Sequence, residues 1–145
     1  MLSPKLPRRL AGALAVCLSV LACTAAPSPS PASTQVPQAP VEISVADAVA
    51  MRDDGAFVLD VREPSEFAAG HISGATLIPL GELATRVGEV PRDRSVIVVC
   101  RTGHRAAQGR DILIGAGFYA VSSMTGGMTE WIAQGQPIVT GGGIQ

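Results

Sequence analysis

The sequence predicts an α/β domain: a central five-stranded, mostly parallel sheet with helices on both faces. Short runs of β-formers at Val41–Ile43, Phe57–Val61, Thr76–Ile78, Val96–Val99 and Tyr119–Val121 alternate with stretches of helical periodicity, the order from which parallel sheets with right-handed crossovers are built. Val96-Ile97-Val98-Val99 is apolar at four consecutive positions, as a strand covered on both faces requires. With 145 residues, 47% of them hydrophobic, the chain has enough apolar surface for one core.

The elements follow in order. After Val41-Glu42-Ile43, Ser44 and Asp47 have capping-box spacing for a helix from Val45 to about Arg52, and Asp53-Asp54-Gly55 turns the chain. The strand Phe57–Val61 is apolar apart from Asp60. Asp60 and Arg62 are read as structural supports that hold loops by hydrogen bonds or an ion pair, because a charge this close to a core is retained only when paired. Pro64 starts a short helix through Phe67 and Gly70 stops it. His71 is read as a structural histidine, since no metal-ligand partner stands at a suitable spacing. Thr76–Ile78 is the third strand, and Leu80, Leu83, Ala84 and Val87 repeat at helical intervals until Pro91. Arg92-Asp93-Arg94 is a solvated turn. Beyond Val96–Val99, Ala106, Ala107, Ile112, Leu113 and Ala116 mark an amphipathic helix ending at Gly115 or Gly117. Tyr119–Val121 is expected as the fifth strand. Gly126-Gly127 turns the chain beside the loop after Val99, and Met128–Gly135 forms the last helix around Trp131.

Chemistry concentrates where the fourth strand ends. Cys100 lies between a buried strand and a helix N-terminus, facing unpaired backbone N–H groups and the positive end of the helix dipole. Arg101, Arg105 and, when protonated, His104 add positive charge, and such surroundings favour a thiolate. Gly103 allows the loop to curl so that N–H groups converge on an anion at the sulfur. An inert buried cysteine is the alternative; two arginines within five residues do not suit an apolar pocket. Active groups of parallel sheets sit beyond the carboxyl ends of the strands, where Cys100 falls.

Cys100-Arg101-Thr102-Gly103-His104-Arg105 resembles the six-residue active-site loop of rhodaneses, sulfurtransferases that carry sulfur as a cysteine persulfide. Leu59–Phe67 followed by Gly70–Ala75 resembles the two upstream signatures of that family, and Gly126–Trp131 its C-terminal one. Three ordered blocks are far more specific than an isolated C-x4-R. The resemblance implies a single rhodanese-like domain over residues 41–139, with Cys100 as nucleophile and Arg101, Thr102, Gly103, His104 and Arg105 as the substrate-binding loop. It implies a two-step transfer from a small anionic sulfur donor such as thiosulfate to a thiol or cyanide, with no cofactor and no metal. Arg101 and Arg105 would guide the donor and offset charge as sulfite departs. Family members that use 3-mercaptopyruvate tend to have uncharged loops, so the arginines favour an anionic donor. Where many relatives carry Ser after the second arginine, this chain has Ala106, which removes one hydrogen bond to the sulfur.

Related phosphatases and arsenate reductases use a C-x5-R loop, one residue longer; the shorter ring here suits one sulfur atom and crowds a phosphoryl group. A reading from another class is a tethered sulfur-carrier or binding module that acts on a redox or sulfur-accepting protein partner with little turnover of small molecules.

The N-terminal residues carry a separate message. Lys5, Arg8 and Arg9 precede an apolar run from Leu10 to about Ala22, too short for a comfortable membrane span. Residues 1–22 are read as an export signal. Val20-Leu21-Ala22-Cys23 resembles the lipobox of bacterial lipoproteins, which makes Cys23 the lipidation site and the membrane a partner through that anchor; an ordinary signal peptide and an uncleaved anchor are the alternatives. Residues 23–40, rich in Pro, Ser and Ala, are read as a disordered linker, and 140–145 as a flexible Gly-rich tail. The expected location is the cell envelope, facing outside the cytoplasm. Of the three cysteines, Cys17 leaves with the signal and Cys23 is consumed by lipid, so Cys100 stands without a resolving partner. The chain's net charge of −1 falls to −4 once the three basic residues of the signal are removed, which excludes a basic nucleic-acid-binding face.

Overall fold

The strand Val96–Val99 (β4) occupies the middle of a five-stranded sheet, buried at all four positions. In this computed structural model the described residues are 39–141. The export signal 1–22, Cys23, all but the last two residues of the linker 23–40, and residues 142–145 of the tail lie outside them. Around β4 run Glu42–Ile43 (β1), Phe57–Asp60 (β2), Thr76–Leu77 (β3) and Val121–Met124 (β5), in the spatial order β1-β5-β4-β2-β3 and all parallel. The α-helices are Val45–Asp53 (α1), Pro64–Ala69 (α2), Leu80–Arg86 (α3), His104–Gly115 (α4) and Gly127–Ala133 (α5), with a single 3-10 turn at Val87–Glu89. Among the described residues no helix is long and apolar enough to cross a membrane.

Alternation along β4 divides the core into two layers, because successive side chains of a strand point to opposite faces. Val96 and Val98 pack with Leu83 of α3 and with Ala106 and Leu113 of α4; Ile97 and Val99 pack with Ala48 of α1 and with Met128 and Trp131 of α5. Cys100 continues the Val96/Val98 register onto the α3/α4 face. β4 is therefore covered on both sides, which explains its uninterrupted apolar run.

Local signals place the helix ends as expected. Ser44 and Asp47 form a complete capping box, with Asp47 N–H donating to Ser44 Oγ at 3.1 Å. Pro64 opens α2 and Gly70 closes it. Trp131 is fully buried, and its Nε1–H donates to Pro137 O at 3.0 Å.

The fifth strand departs from expectation. Tyr119 is 71% exposed and outside the sheet; the strand is Val121–Met124. Two serines enter a buried strand because each finds an acceptor on the incoming chain. Ser122 Oγ donates to Pro40 O, and Ser123 Oγ donates to Val41 O at 3.3 Å while receiving Arg110 Nη1–H at 2.9 Å. Satisfied hydroxyls do not carry the desolvation cost that would otherwise exclude them.

Candidate active site

The connections that leave β2 and β4 run in opposite directions, from β2 to β3 on one side and from β4 to β5 on the other. Such a divergence opens a crevice beyond the carboxyl ends of the two strands. Asp60 pairs with Val99 in register, so Asp60–Arg62 and Cys100 stand side by side at that crevice.

Cys100 has a relative exposure of 1% and belongs to the apolar layer that includes Ala106 and Leu113. The thiol is withdrawn from solvent. The sulfur is enclosed by its own loop, and one polar contact faces it among the described residues: Gly103 N–H donates to Cys100 Sγ at 3.1 Å. Ala106 is fully buried behind it and has no hydroxyl to offer. Gly103 has φ 101°, in the left-handed region that favours glycine, and this bend aims its N–H at the sulfur. A side chain there would also crowd Gly126 N and Met124 O, at 3.3 and 3.4 Å from a Cβ.

The first turn of α5 fixes the rest of the loop. Met128 N–H donates to Cys100 O at 2.8 Å, Thr129 N–H to Arg101 O at 3.0 Å, and Thr129 Oγ1 to the same oxygen at 2.9 Å. In a trans peptide the N–H points opposite to the C=O, so the N–H groups of Arg101 and Thr102 are turned away from α5. Gly127 permits this approach. Its φ is 57°, and a Cβ on it would overlap Cys100 O and lie 2.7 Å from Arg101 C and O.

The loop cations are not equivalent. Arg105 belongs to the first turn of α4, and its guanidinium forms a two-armed pair with Glu66 of α2, Nη1 to Oε2 and Nη2 to Oε1, both 2.8 Å. These bonds hold the Glu66 carboxyl below the usual carboxylate range and raise Arg105 further above its own. The two arginines expected to act together are therefore divided: Arg105 is engaged, while Arg101 is exposed and no carboxylate among the described residues pairs with it. Glu66 lies 39 residues from Arg105 in sequence, and no local signal points to it as part of the site. His104 is exposed at the rim, its Nδ1 3.2 Å from Thr102 Oγ1.

Asp60 and Arg62 form an ion pair behind the loop. Asp60 and Arg62 are buried, with Arg62 Nε 2.9 and 3.0 Å from the two carboxylate oxygens and Nη2 2.7 Å from Oδ2. Arg62 Nη2 also donates to Gly70 O at 2.8 Å, tying the end of β2 to the end of α2. His71 is a packing residue: its Nδ1 bonds Phe67 O at 2.9 Å and its ring stacks on Phe67 with centroids 3.6 Å apart. Among the described residues no group of three or more His, Cys, Asp or Glu could hold a metal ion. Cavity size does not single out this region. A cavity of about 170 Å³ flanks the loop between Thr102–His104 and Thr125–Gly126, whereas a larger one of about 400 Å³ lies at the opposite end of β4, around Arg92 and Phe118, far from the thiol.

The family model of the rhodanese-like domain matches residues 44–134. The chain belongs to the rhodanese-like domain family. Its domain is 38% identical over 89 residues to a thiosulfate sulfurtransferase GlpE of Pseudomonas entomophila, a match spanning 61% of this chain and 82% of that protein. It is 37% identical over 82 residues to a sulfurtransferase of Allochromatium vinosum, spanning 57% of this chain and 77% of the relative. Among solved structures, a rhodanese-related protein from Thermoplasma volcanium superposes with a TM-score of 0.64 at 34% identity, covering 68% of this chain and 96% of the other. These relatives place the rhodanese-like domain in a sulfurtransferase family, on a five-stranded all-parallel α/β fold.

Proposed function

We propose that the protein is a sulfurtransferase that carries sulfur as a persulfide on Cys100, taking it from thiosulfate or a similar anionic donor. The observation that carries the proposal is the Gly103 N–H at 3.1 Å from Cys100 Sγ, in a loop whose carbonyls are tied back to α5. Amide hydrogens held in place before the reaction stabilise a sulfur anion without reorganisation at the moment of transfer. In the first step the thiolate attacks the outer sulfur of thiosulfate, the donor S–S bond breaks, and sulfite departs with the electron pair. In the second, a thiol or cyanide attacks the outer sulfur of the persulfide, and the pair returns to Cys100 Sγ. Arg101 meets the incoming anion. With Cys17 lost with the signal and Cys23 taken by lipid, Cys100 has no resolving thiol in the mature chain, and the acceptor is a separate molecule.

The deciding measurement is the intact mass of the signal-free protein after thiosulfate, with the Cys100→Ala protein as blank. A gain of about 32 Da, one sulfur atom, that disappears with cyanide as thiocyanate is released supports the enzyme. The same adduct without steady-state turnover supports a sulfur carrier serving a protein partner, and no adduct from thiosulfate removes the thiosulfate reading.

We further propose that the protein is exported and held at the cell envelope through lipid on Cys23, on the support of Lys5, Arg8, Arg9, the apolar run 10–22 and the Val20–Cys23 motif. Cys23→Ser is expected to move the protein from the membrane fraction to the soluble fraction; unchanged fractionation counts against lipidation.

A further inference from the structure

We propose that Glu66 sets the charge selectivity of the sulfur site, by cancelling Arg105 so that an incoming donor meets one free loop guanidinium, Arg101, in place of two. The inference rests on the reading of Cys100 as the sulfur-carrying residue and concerns which donors reach it.

The charges around the crevice balance almost completely. Arg62 is spent on buried Asp60. Arg105 is held by Glu66 through two bonds of 2.8 Å with both side chains about two-thirds withdrawn from water, and Glu63 adds a second negative charge within Coulombic reach of the same guanidinium. His104 at the exposed rim contributes charge only when protonated. What remains is Arg101 against Glu63, with Glu42 at the cavity that flanks the loop. The sequence shows a doubly cationic loop; the folded site is close to neutral.

A near-neutral site does not strongly prefer a dianion. Thiosulfate carries two negative charges, whereas a thiosulfonate such as methanethiosulfonate carries one and delivers the same outer sulfur, with methanesulfinate leaving in place of sulfite. Glu66 therefore admits singly charged sulfane donors alongside thiosulfate, and loss of its charge restores Arg105 as a second cation and tilts the site toward the dianion. Glu66 touches no reacting atom; it acts through Arg105 as a specificity-determining residue.

Glu66→Gln keeps a hydrogen-bonding side chain at the first turn of α2, where Glu66 Oε2 accepts Glu63 N–H at 3.2 Å, and removes the charge. Two ratios read the result. One is the rate of Cys100 alkylation by anionic iodoacetate relative to neutral iodoacetamide, in which changes in thiolate content cancel. The other is kcat/KM for thiosulfate relative to methanethiosulfonate. Both are expected to rise in Glu66→Gln, by about three- to tenfold at low salt, and to converge on the wild-type values as salt screens the site. The double variant Glu66→Gln/Arg105→Gln, in which both charges are gone, is expected to return both ratios to wild type. Unchanged ratios in Glu66→Gln, or ratios that remain raised in the double variant, overturn the assignment. Where the wild-type protein takes no sulfur from thiosulfate, the alkylation ratio still decides it, so failure of the functional reading and failure of this one are separable.

Discussion

Replacing Gly127 with alanine is expected to lower the sulfur-transfer kcat/KM by about a hundredfold or more and to destabilise the fold by about 3 kcal/mol. Two effects add at this position. The backbone at φ 57° is costly for any residue with a Cβ, by about 1–2 kcal/mol, and the added methyl group would overlap Cys100 O and crowd Arg101 C and O at 2.7 Å. Neither neighbour is the far end of a flexible side chain, so the backbone itself must part. Parting α5 from the loop breaks the bonds from Met128 and Thr129 to the carbonyls of Cys100 and Arg101, and the two peptides that lead to Gly103, whose N–H faces the sulfur, lose their anchor. Gly135→Ala is the matched control. Its φ is 71°, but a Cβ there meets nothing within 4 Å. It should show the backbone strain alone, about 1 kcal/mol, with wild-type kcat/KM. Thermal or denaturant unfolding measures the first quantity and steady-state kinetics the second. Equal effects of the two variants on kcat/KM would show that contact with α5 does not position the loop.

What the sequence reveals of this molecule follows from the range of the interactions. Ser44 and Asp47 announce the start of α1 because the box closes within four residues, and the four apolar residues of β4 announce a doubly covered strand because burial on both faces leaves no polar alternative. The Asp60–Arg62 pair is similarly local. The fifth strand departs from its local signal for the opposite reason. Tyr119-Ala120-Val121 has β-forming side chains, yet the sheet takes Val121–Met124, whose serines are made tolerable by acceptors on Pro40 and Val41, some 82 residues earlier. The role of Glu66 is illegible in the sequence on the same grounds. Nothing near it in sequence distinguishes it from Glu63, and only the folding of α2 against α4 brings it to Arg105. The loop residues could be named from the sequence, but their charge state could not, because half of it is supplied from another element.

Asp60→Ala is expected to cost about 3–5 kcal/mol, a large part of the 5–15 kcal/mol that holds a domain of this size together. The side chain of Arg62 is 6% exposed and receives most of its hydrogen-bonding partners from one carboxylate; Asp60 Oδ1 also accepts the Arg62 backbone N–H at 3.0 Å. Truncating Asp60 leaves the guanidinium in a low-dielectric crevice with the single Gly70 carbonyl, and an unpaired buried charge costs more than the pair ever contributed. Replacing both partners together, as Asp60→Leu with Arg62→Met, removes that charge, so the double variant is expected to recover at least half of the loss in urea unfolding. Additive losses would show that the two side chains contribute independently of each other. The site should respond differently from the stability. Arg62 connects the end of β2 to Gly70 O, and α2 presents Glu66 to Arg105; the stabilised double variant still lacks the bond to Gly70. Its alkylation ratio should therefore shift toward that of Glu66→Gln even as the fold recovers, which separates holding the domain together from holding the crevice in register.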